Sequence, residues 1–165
     1  MEKQLSILGC GWLGIPLAKH LIHSGWNVKG STTRESKLAE LHSEDIIPFL
    51  IELEEGQVKG DIAKFLEDSD LLIIDIPPGL RRDPDSDFIA KLQPLILAIL
   101  ESDISNVLYI SSTGVFQDDE SIPTFTEFYK FTGQELENNP LAQAEQLFLN
   151  LNAVKTSVLR FGGLV

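Results

Sequence analysis

Three glycines at the spacing G-x-G-x-x-G, in Gly9-Cys10-Gly11-Trp12-Leu13-Gly14, stand between a short apolar run and a helical pattern. The spacing alone is common. Its place between a strand and a helix is what restricts the fold. Gln4–Leu8 reads as a strand, closed by Gly9. Leu13–Ser24 reads as a helix, because Leu13, Leu17 and Leu21 recur on one face. Pro16 falls in its first turn, where a missing N–H costs little, and Gly25 sits where helices often end. Each glycine of the loop has a physical task. Gly9 allows the tight turn, Gly11 lacks a Cβ so that an anion can approach the backbone, and Gly14 lets the helix pack closely on the strand. Free N–H groups and the positive end of the helix dipole then face that anion. Leu13 opens the helix, and Trp12 is expected either to cover the loop or to face a partner. The alternative is a glycine-rich turn that binds nothing.

The rest of the chain continues the alternation. Trp26–Ser31 reads as a strand, Glu35–His42 as a short helix, Ile46–Ile51 as a third strand and Asp61–Glu67 as a helix. Leu71–Ile76 is apolar except for Asp75, as a strand buried on both faces should be. Asp85–Leu100 reads as a helix that Pro94 should kink or whose start it should move. Asn106–Ser112 is a fifth strand, Leu141–Leu151 a helix, and Ser157–Phe161 a sixth strand. The acidic stretch Gln117–Pro140, with Pro123 and Pro140, is expected to be largely loop. Strands alternating with helices imply parallel pairing through right-handed crossovers. Residues 1–165 therefore read as one α/β domain, a Rossmann-like doubly wound parallel sheet in the order 3-2-1-4-5-6, three layers α/β/α deep. The ligand crevice of such a sheet lies beyond the carboxyl ends of strands 1 and 4.

Charge and composition narrow the partners. Thirteen Lys and Arg against 25 Asp and Glu give a net charge of −12, which argues against a broad nucleic-acid surface but not against a small anionic ligand. The single Cys10 excludes an internal disulfide and a multi-cysteine metal site. No basic residue lies near it in sequence, so it reads as a small packed side chain rather than a nucleophile. His20 and His23 share a helix face, but no third ligand is in view and no metal is expected. Glu52, Glu54 and Glu55 read as an acidic, solvated loop, and Asp118-Asp119-Glu120 as another. Met1-Glu2-Lys3 leads straight into the first strand, without the apolar stretch of a secretory signal. Leu71–Ile74 and Leu95–Leu100 fall far short of the ~20 residues that span a bilayer. A cytoplasmic protein is expected, with no membrane or nucleic-acid partner, a small-molecule ligand, and a homodimer allowed for.

The end of the second strand bears on which dinucleotide the crevice would take. An NAD site usually places Asp or Glu ~20 residues after the glycines, on the ribose 2′-hydroxyl. Here the strand ends Lys29-Gly30-Ser31-Thr32-Thr33-Arg34, and no acid appears before Glu35. Hydroxyls and a guanidinium attract a 2′-phosphate that a carboxylate would repel. NADP is expected over NAD, with Ser31, Thr33 and Arg34 at the phosphate and Lys37 able to assist; the alternative for Arg34 is a solvated helix start. Asp75-Ile76-Pro77-Pro78-Gly79, at the end of the fourth strand, forms the other lip, either against the nicotinamide-side ribose or simply as a rigid turn. Arg81 and Arg82 follow, either solvated or reaching an anionic substrate.

The segment Tyr109-Ile110-Ser111-Ser112-Thr113-Gly114-Val115-Phe116 resembles the extended short-chain dehydrogenase/reductases, the NAD-dependent epimerase/dehydratase family. The glycine loop, Gly30 to Arg34, Pro77-Pro78-Gly79, Ala144-Glu145 and Leu159-Arg160-Phe161-Gly162-Gly163 point the same way, so the resemblance covers essentially the whole chain. It implies NAD(P)-dependent oxidoreductase or epimerase chemistry on a sugar- or alcohol-type substrate, using a Ser/Thr, Tyr and Lys set. Matched on Val115, the Ser/Thr position falls on Ser112, with Thr113 adjacent. The Tyr-x-x-x-Lys pair has no counterpart, because Thr113 follows Tyr109 and Gly133 follows Tyr129 at that spacing. Counting back from Ala144-Glu145 puts Leu141 at the Lys position and Glu137 at the Tyr position. The match is therefore to an atypical branch. The family also continues past the Gly-Gly into a substrate-binding lobe, whereas this chain stops at Val165, so that lobe is expected to be absent or truncated. Three functions remain open: an epimerase/dehydratase-like enzyme, a non-catalytic NADP-binding sensor or regulatory protein, and a hydroxyacid dehydrogenase, against which Ser111–Phe116 argues.

Overall fold

A computed structural model describes residues 3–77, 86–116 and 124–162. Eight strands occur among them. In chain order they are β1 (Lys3–Leu8), β2 (Trp26–Thr32), β3 (Ile47–Leu50), β4 (Glu52–Glu54), β5 (Gln57–Lys59), β6 (Leu71–Ile74), β7 (Asn106–Ser112) and β8 (Lys155–Phe161). The helices are α1 (Gly14–His23), α2 (Leu38–Ser43), α3 (Ile62–Leu66), α4 (Phe88–Leu100), α5 (Gly133–Glu137) and α6 (Pro140–Leu149). Six strands form one parallel sheet in the order β3-β2-β1-β6-β7-β8. With the hairpin strands β4 and β5 set aside, this is the expected 3-2-1-4-5-6 winding.

Alternation along each strand divides the core between the two faces. Leu5 and Ile7 of β1, Val28 of β2 and Ile73 of β6 pack with Ala18 of α1 and Leu41 of α2. Leu72 and Ile74 of β6 and Val107 and Tyr109 of β7 pack on the opposite face with Phe65 and Leu66 of α3, Leu92 and Leu95 of α4, and Phe148 of α6. Ser6 and Lys29 are paired inside this core, whereas the buried Tyr109 hydroxyl has no hydrogen-bond partner among the described residues. Ser6 Oγ donates to the Phe65 carbonyl at 2.6 Å and meets Ser69 Oγ at 2.8 Å. Lys29 reaches under α3, where its ammonium donates to the Lys64 and Glu67 carbonyls, the groups a helix end leaves unsatisfied. Burial nevertheless holds the Lys29 pKa below its ordinary value.

Several sequence expectations need correction. Glu52, Glu54 and Glu55 do not form a loop: β4 and β5 are an antiparallel hairpin turning at Gly56. Leu53 and Val58 face the core while Glu54 pairs with Lys59 at 2.5 Å, an alternation too short to stand out in sequence. The helix expected from Asp85 is described only from Phe88, because Asp87 caps it by accepting from the Ala90 N–H. Pro94 stays inside that helix. The strand expected to reach Ile76 ends at Ile74. Glu35–Lys37 is a 3₁₀ turn leading into α2. Part of the stretch expected as loop is helical: Thr132 and Glu135 form a capping box that starts α5. No helix among the described residues is long and apolar enough to cross a membrane.

Candidate functional site

The glycine loop sits where β1 and β6 end, and its geometry explains two of its glycines. Gly9 has φ +106°, and a Cβ there would lie 2.1 Å from the Asp75 carbonyl oxygen. A Cβ on Gly14 would lie 2.4 Å from the Gly9 carbonyl oxygen, so any larger residue would push α1 off β1. Gly11 differs: a Cβ there would meet nothing within 4 Å. Open space above that backbone is what an approaching anion requires. The turn itself is held by β2, because Cys10 N–H donates to the Ser31 carbonyl at 2.7 Å and Gly9 N–H to Ser31 Oγ at 2.9 Å.

Four helices carry a side-chain cap, from Asp61, Asp87, Thr132 and Asn139. α1 and α2 have none; the N-cap of α1 is Leu13, which offers no acceptor. Of the first amides of α1, Ile15 N–H already donates to the Gly11 carbonyl at 3.2 Å and Pro16 has no N–H, so what a ligand would meet is the remaining uncapped end of the helix and the positive end of its dipole.

A cavity of about 370 Å³ opens beside this loop. It is bounded by Gly9, Cys10 and Gly11, by Ser31–Arg34 and Lys37 beyond β2, by Ile51–Leu53 at the hairpin, by Asp75–Pro77 after β6, and by Phe88 and Lys91 of α4. Of the residues expected at a cofactor, Gly9, Gly11, Ser31, Thr33, Arg34, Ile76 and Pro77 line it. Leu13 and Gly14 lie just outside, at the start of α1. Trp12 projects into solvent, 72% exposed, so it does not cover the loop. Ser31 lines the wall while its Oγ holds the Gly9 amide. Pro78, Gly79, Arg81, Arg82, Asp118-Asp119-Glu120 and Gly163 lie outside the described residues.

Cys10 faces the cavity but is buried, and burial, aided by the Asp75 charge, pushes its thiol up to about 12. It is therefore neutral and unreactive, the packed side chain expected. Its sulfur also explains Gly30, where a Cβ would come within 2.6 Å of Sγ and 2.5 Å of Ile46. Asp75, expected with Ile76 and Pro77 at the lip of the crevice, lines the cavity, whereas Glu52, Leu53, Phe88 and Lys91 were not expected there.

Ser112 and Thr113 stand apart, at the end of β7, and neither lines the cavity. Ser112 Oγ accepts from the Gly114 N–H at 3.0 Å and caps the 3₁₀ turn Thr113–Val115. Asn139, at the start of α6, donates to the Val115 carbonyl at 2.6 Å, so α6 begins against this turn. The nearby polar groups are largely paired with one another. Glu145, fully buried, accepts from Ser111 Oγ at 2.6 Å and from Arg160 through two nitrogens. The Arg160 guanidinium stacks over Phe116 and Phe131, 5.0 and 5.6 Å from their centroids. Tyr109 is buried against Phe148, and burial pushes its phenol pKa up, away from acid–base use. Tyr129 donates to Glu135. His20 and His23 are exposed on α1, and no three His, Cys, Asp or Glu among the described residues gather as a metal site.

The sheet order and the loop's position define a Rossmann-like α/β domain, with its cavity at the crevice where such sheets bind ligands. Among known proteins, the chain is 30% identical over 164 residues to Protein YeeZ of Escherichia coli K12, covering 99% of this chain and 59% of that protein. Its fold matches the UDP-N-acetylglucosamine 4-epimerase from Methanobrevibacter ruminantium M1 with a TM-score of 0.68 at 21% identity, over 96% of this chain and 54% of that one. It also matches the UDP-glucuronic acid 4-epimerase from Bacillus cereus, solved in complex with NAD, with a TM-score of 0.69 at 18% identity, over 97% and 56%. The fold of this chain is thus the fold of sugar-nucleotide epimerases. The chain spans little more than half the length of these relatives. No protein-family model matches it.

Proposed function

We propose that the chain is the dinucleotide-binding part of an epimerase/dehydratase-like oxidoreductase, preferring NADP and acting on a sugar- or alcohol-type substrate. The observation that carries this reading is the uncapped start of α1 beside open space at Gly11, on the rim of a cavity at the crevice. A diphosphate there meets backbone N–H groups and the helix dipole, an arrangement that other helices of this chain close with their own side chains. Arg34 and Lys37 border the same cavity, and no acid lies between β2 and Arg34, which supports a 2′-phosphate. Bound dinucleotide would supply the hydride chemistry; the chain's own residues bind and orient it. Exposed Leu97 and Leu100 on α4 and Leu149 on α6 support a homodimer through these helices.

A second reading, an NADP-binding sensor without chemistry, has its own support. The positions matched to the family's Tyr and Lys are Glu137 and Leu141; Tyr109 is buried against Phe148 and Tyr129 donates to Glu135. Calorimetric titration with NADPH and NADH tests the binding. NADPH is expected to bind at least about tenfold tighter, or ~1.4 kcal/mol, and Arg34→Ala to erase the difference. Equal affinities in the unaltered protein would remove the NADP argument. A hydride-transfer assay over a panel of sugar nucleotides and alcohols then separates enzyme from sensor.

A further inference from the structure

We propose that Asp75 is a proton-linked determinant of this site: its carboxyl must be neutral when a diphosphate is bound, so binding draws a proton onto it. The inference rests on the diphosphate reading above. Asp75 leaves β6 at the floor of the crevice, and its Oδ2 lies 3.6 Å from where a Cβ of Gly14 would be, beside the first turn of α1. The carboxyl lines the cavity yet has no hydrogen bond or ion pair among the described residues. A diphosphate at the same helix end brings further negative charge against it. Two anions cannot share one set of amide donors without cost, and a proton is the least disruptive remedy. It comes from solvent and goes to a carboxylate oxygen. The neutral acid then offers an O–H to a phosphate oxygen, turning a repulsive contact into a hydrogen bond.

The surroundings leave Asp75 as the group to titrate. The described charged and titratable groups bordering the cavity are Cys10 on the loop, Arg34 and Lys37 beyond β2, Glu52 on the hairpin, and Lys91 on α4. No histidine is among them. Cys10 stays neutral at ordinary pH. Glu52 is exposed and belongs to a different wall. Burial already raises the Asp75 pKa in the free protein, so little further change is needed to hold the proton.

The test is calorimetric titration with NADH, which has no 2′-phosphate to titrate. It is run between about pH 5 and 8 in two buffers of different ionisation enthalpy. Binding is expected to take up close to one proton at the upper end, with Kd rising by up to about tenfold per pH unit. Asp75→Asn, neutral at every pH, is expected to abolish the uptake and to bind more tightly than the unaltered protein at the upper end. NADH binding without proton uptake and with a flat Kd overturns the inference and leaves the diphosphate reading intact. Uptake that persists in Asp75→Asn also overturns it. Failure of both NADH and NADPH to bind at any pH defeats the diphosphate reading itself, and the inference with it. Should Asp75→Asn not fold, the proton count of the unaltered protein decides.

Discussion

The two sides of the crevice treat their polar groups in opposite ways. Around the glycine loop, α1 starts without a side-chain cap, Asp75 has no partner among the described residues, and Arg34, Lys37 and Lys91 border a cavity. Around the end of β7, Ser112 caps its own turn, Ser111 and Arg160 close on Glu145, and aromatic rings cover the guanidinium. The charged groups of the closed side are paired, although the buried Tyr109 hydroxyl there has no partner among the described residues, whereas the charged groups of the open side border a cavity that can receive a ligand. This contrast explains why the binding half of the proposed function rests on several observations, whereas the chemical half rests on Ser112 and Thr113 alone.

Substitutions should therefore split into those that change stability and those that change binding. Arg160→Leu has the largest expected cost. It leaves the Glu145 carboxylate, fully buried, without its ion partner, which typically destabilises by about 3–5 kcal/mol. At roughly 2–4 °C per kcal/mol for a chain this size, the thermal midpoint should fall by about ten degrees, readable by circular dichroism. Dinucleotide affinity should stay within about twofold, since Arg160 shares no partner with the cavity. A large loss of affinity would show the two sides to be coupled and would undo the contrast.

Within the open side, two glycines separate the same effects. Gly9→Ala combines a positive φ with a Cβ 2.1 Å from the Asp75 carbonyl. The backbone conformation alone costs about 1–3 kcal/mol, and the clash adds to it, so stability and binding should fail together. Gly11→Ala meets nothing within 4 Å. Its stability should change by no more than about 0.5 kcal/mol, while NADPH affinity falls about tenfold because the methyl occupies the diphosphate's approach. If Gly11→Ala binds NADPH as before, the anion does not lie over that residue.

The sequence makes the open side readable because its requirements are local. Gly9, Gly11 and Gly14 act within one turn, and the strand and helix that flank them show in residue spacing. The winding of the sheet follows from the order of the elements. What could not be read depends on distant residues. Glu52 and Lys91 reach the cavity only once the hairpin and α4 are packed into place, and neither lies in a recognisable pattern, whereas Asp75 could be placed at the crevice as the one charge ending an apolar strand. The β4–β5 hairpin is built from strands of three residues, too short for alternation to identify. Gly30 looked like part of a polar strand end, yet its need is steric and comes from Cys10 and Ile46. Glu145 could be matched to a motif, but its burial becomes evident only when Arg160 arrives from β8.

The smallest expected effect falls on the closed side and bears on whether chemistry occurs there at all. Ser112→Ala removes the acceptor for the Gly114 N–H. That amide lies in an exposed turn where water can replace the hydroxyl, so the cost should be near about 0.5 kcal/mol, the low end for a lost cap. NADPH affinity should not change. Thr113, exposed and next along the turn, makes no side-chain hydrogen bond among the described residues, so Thr113→Ala should leave stability unaltered. If the protein transfers hydride, one of these variants should lose turnover without losing NADPH binding. Full turnover in both would mean that the hydroxyls only shape the turn, and the reacting groups would have to be sought elsewhere along the crevice. No turnover in the unaltered protein, beside sound NADPH binding, would favour the sensor and would make the pairing at the end of β7 a structural seal.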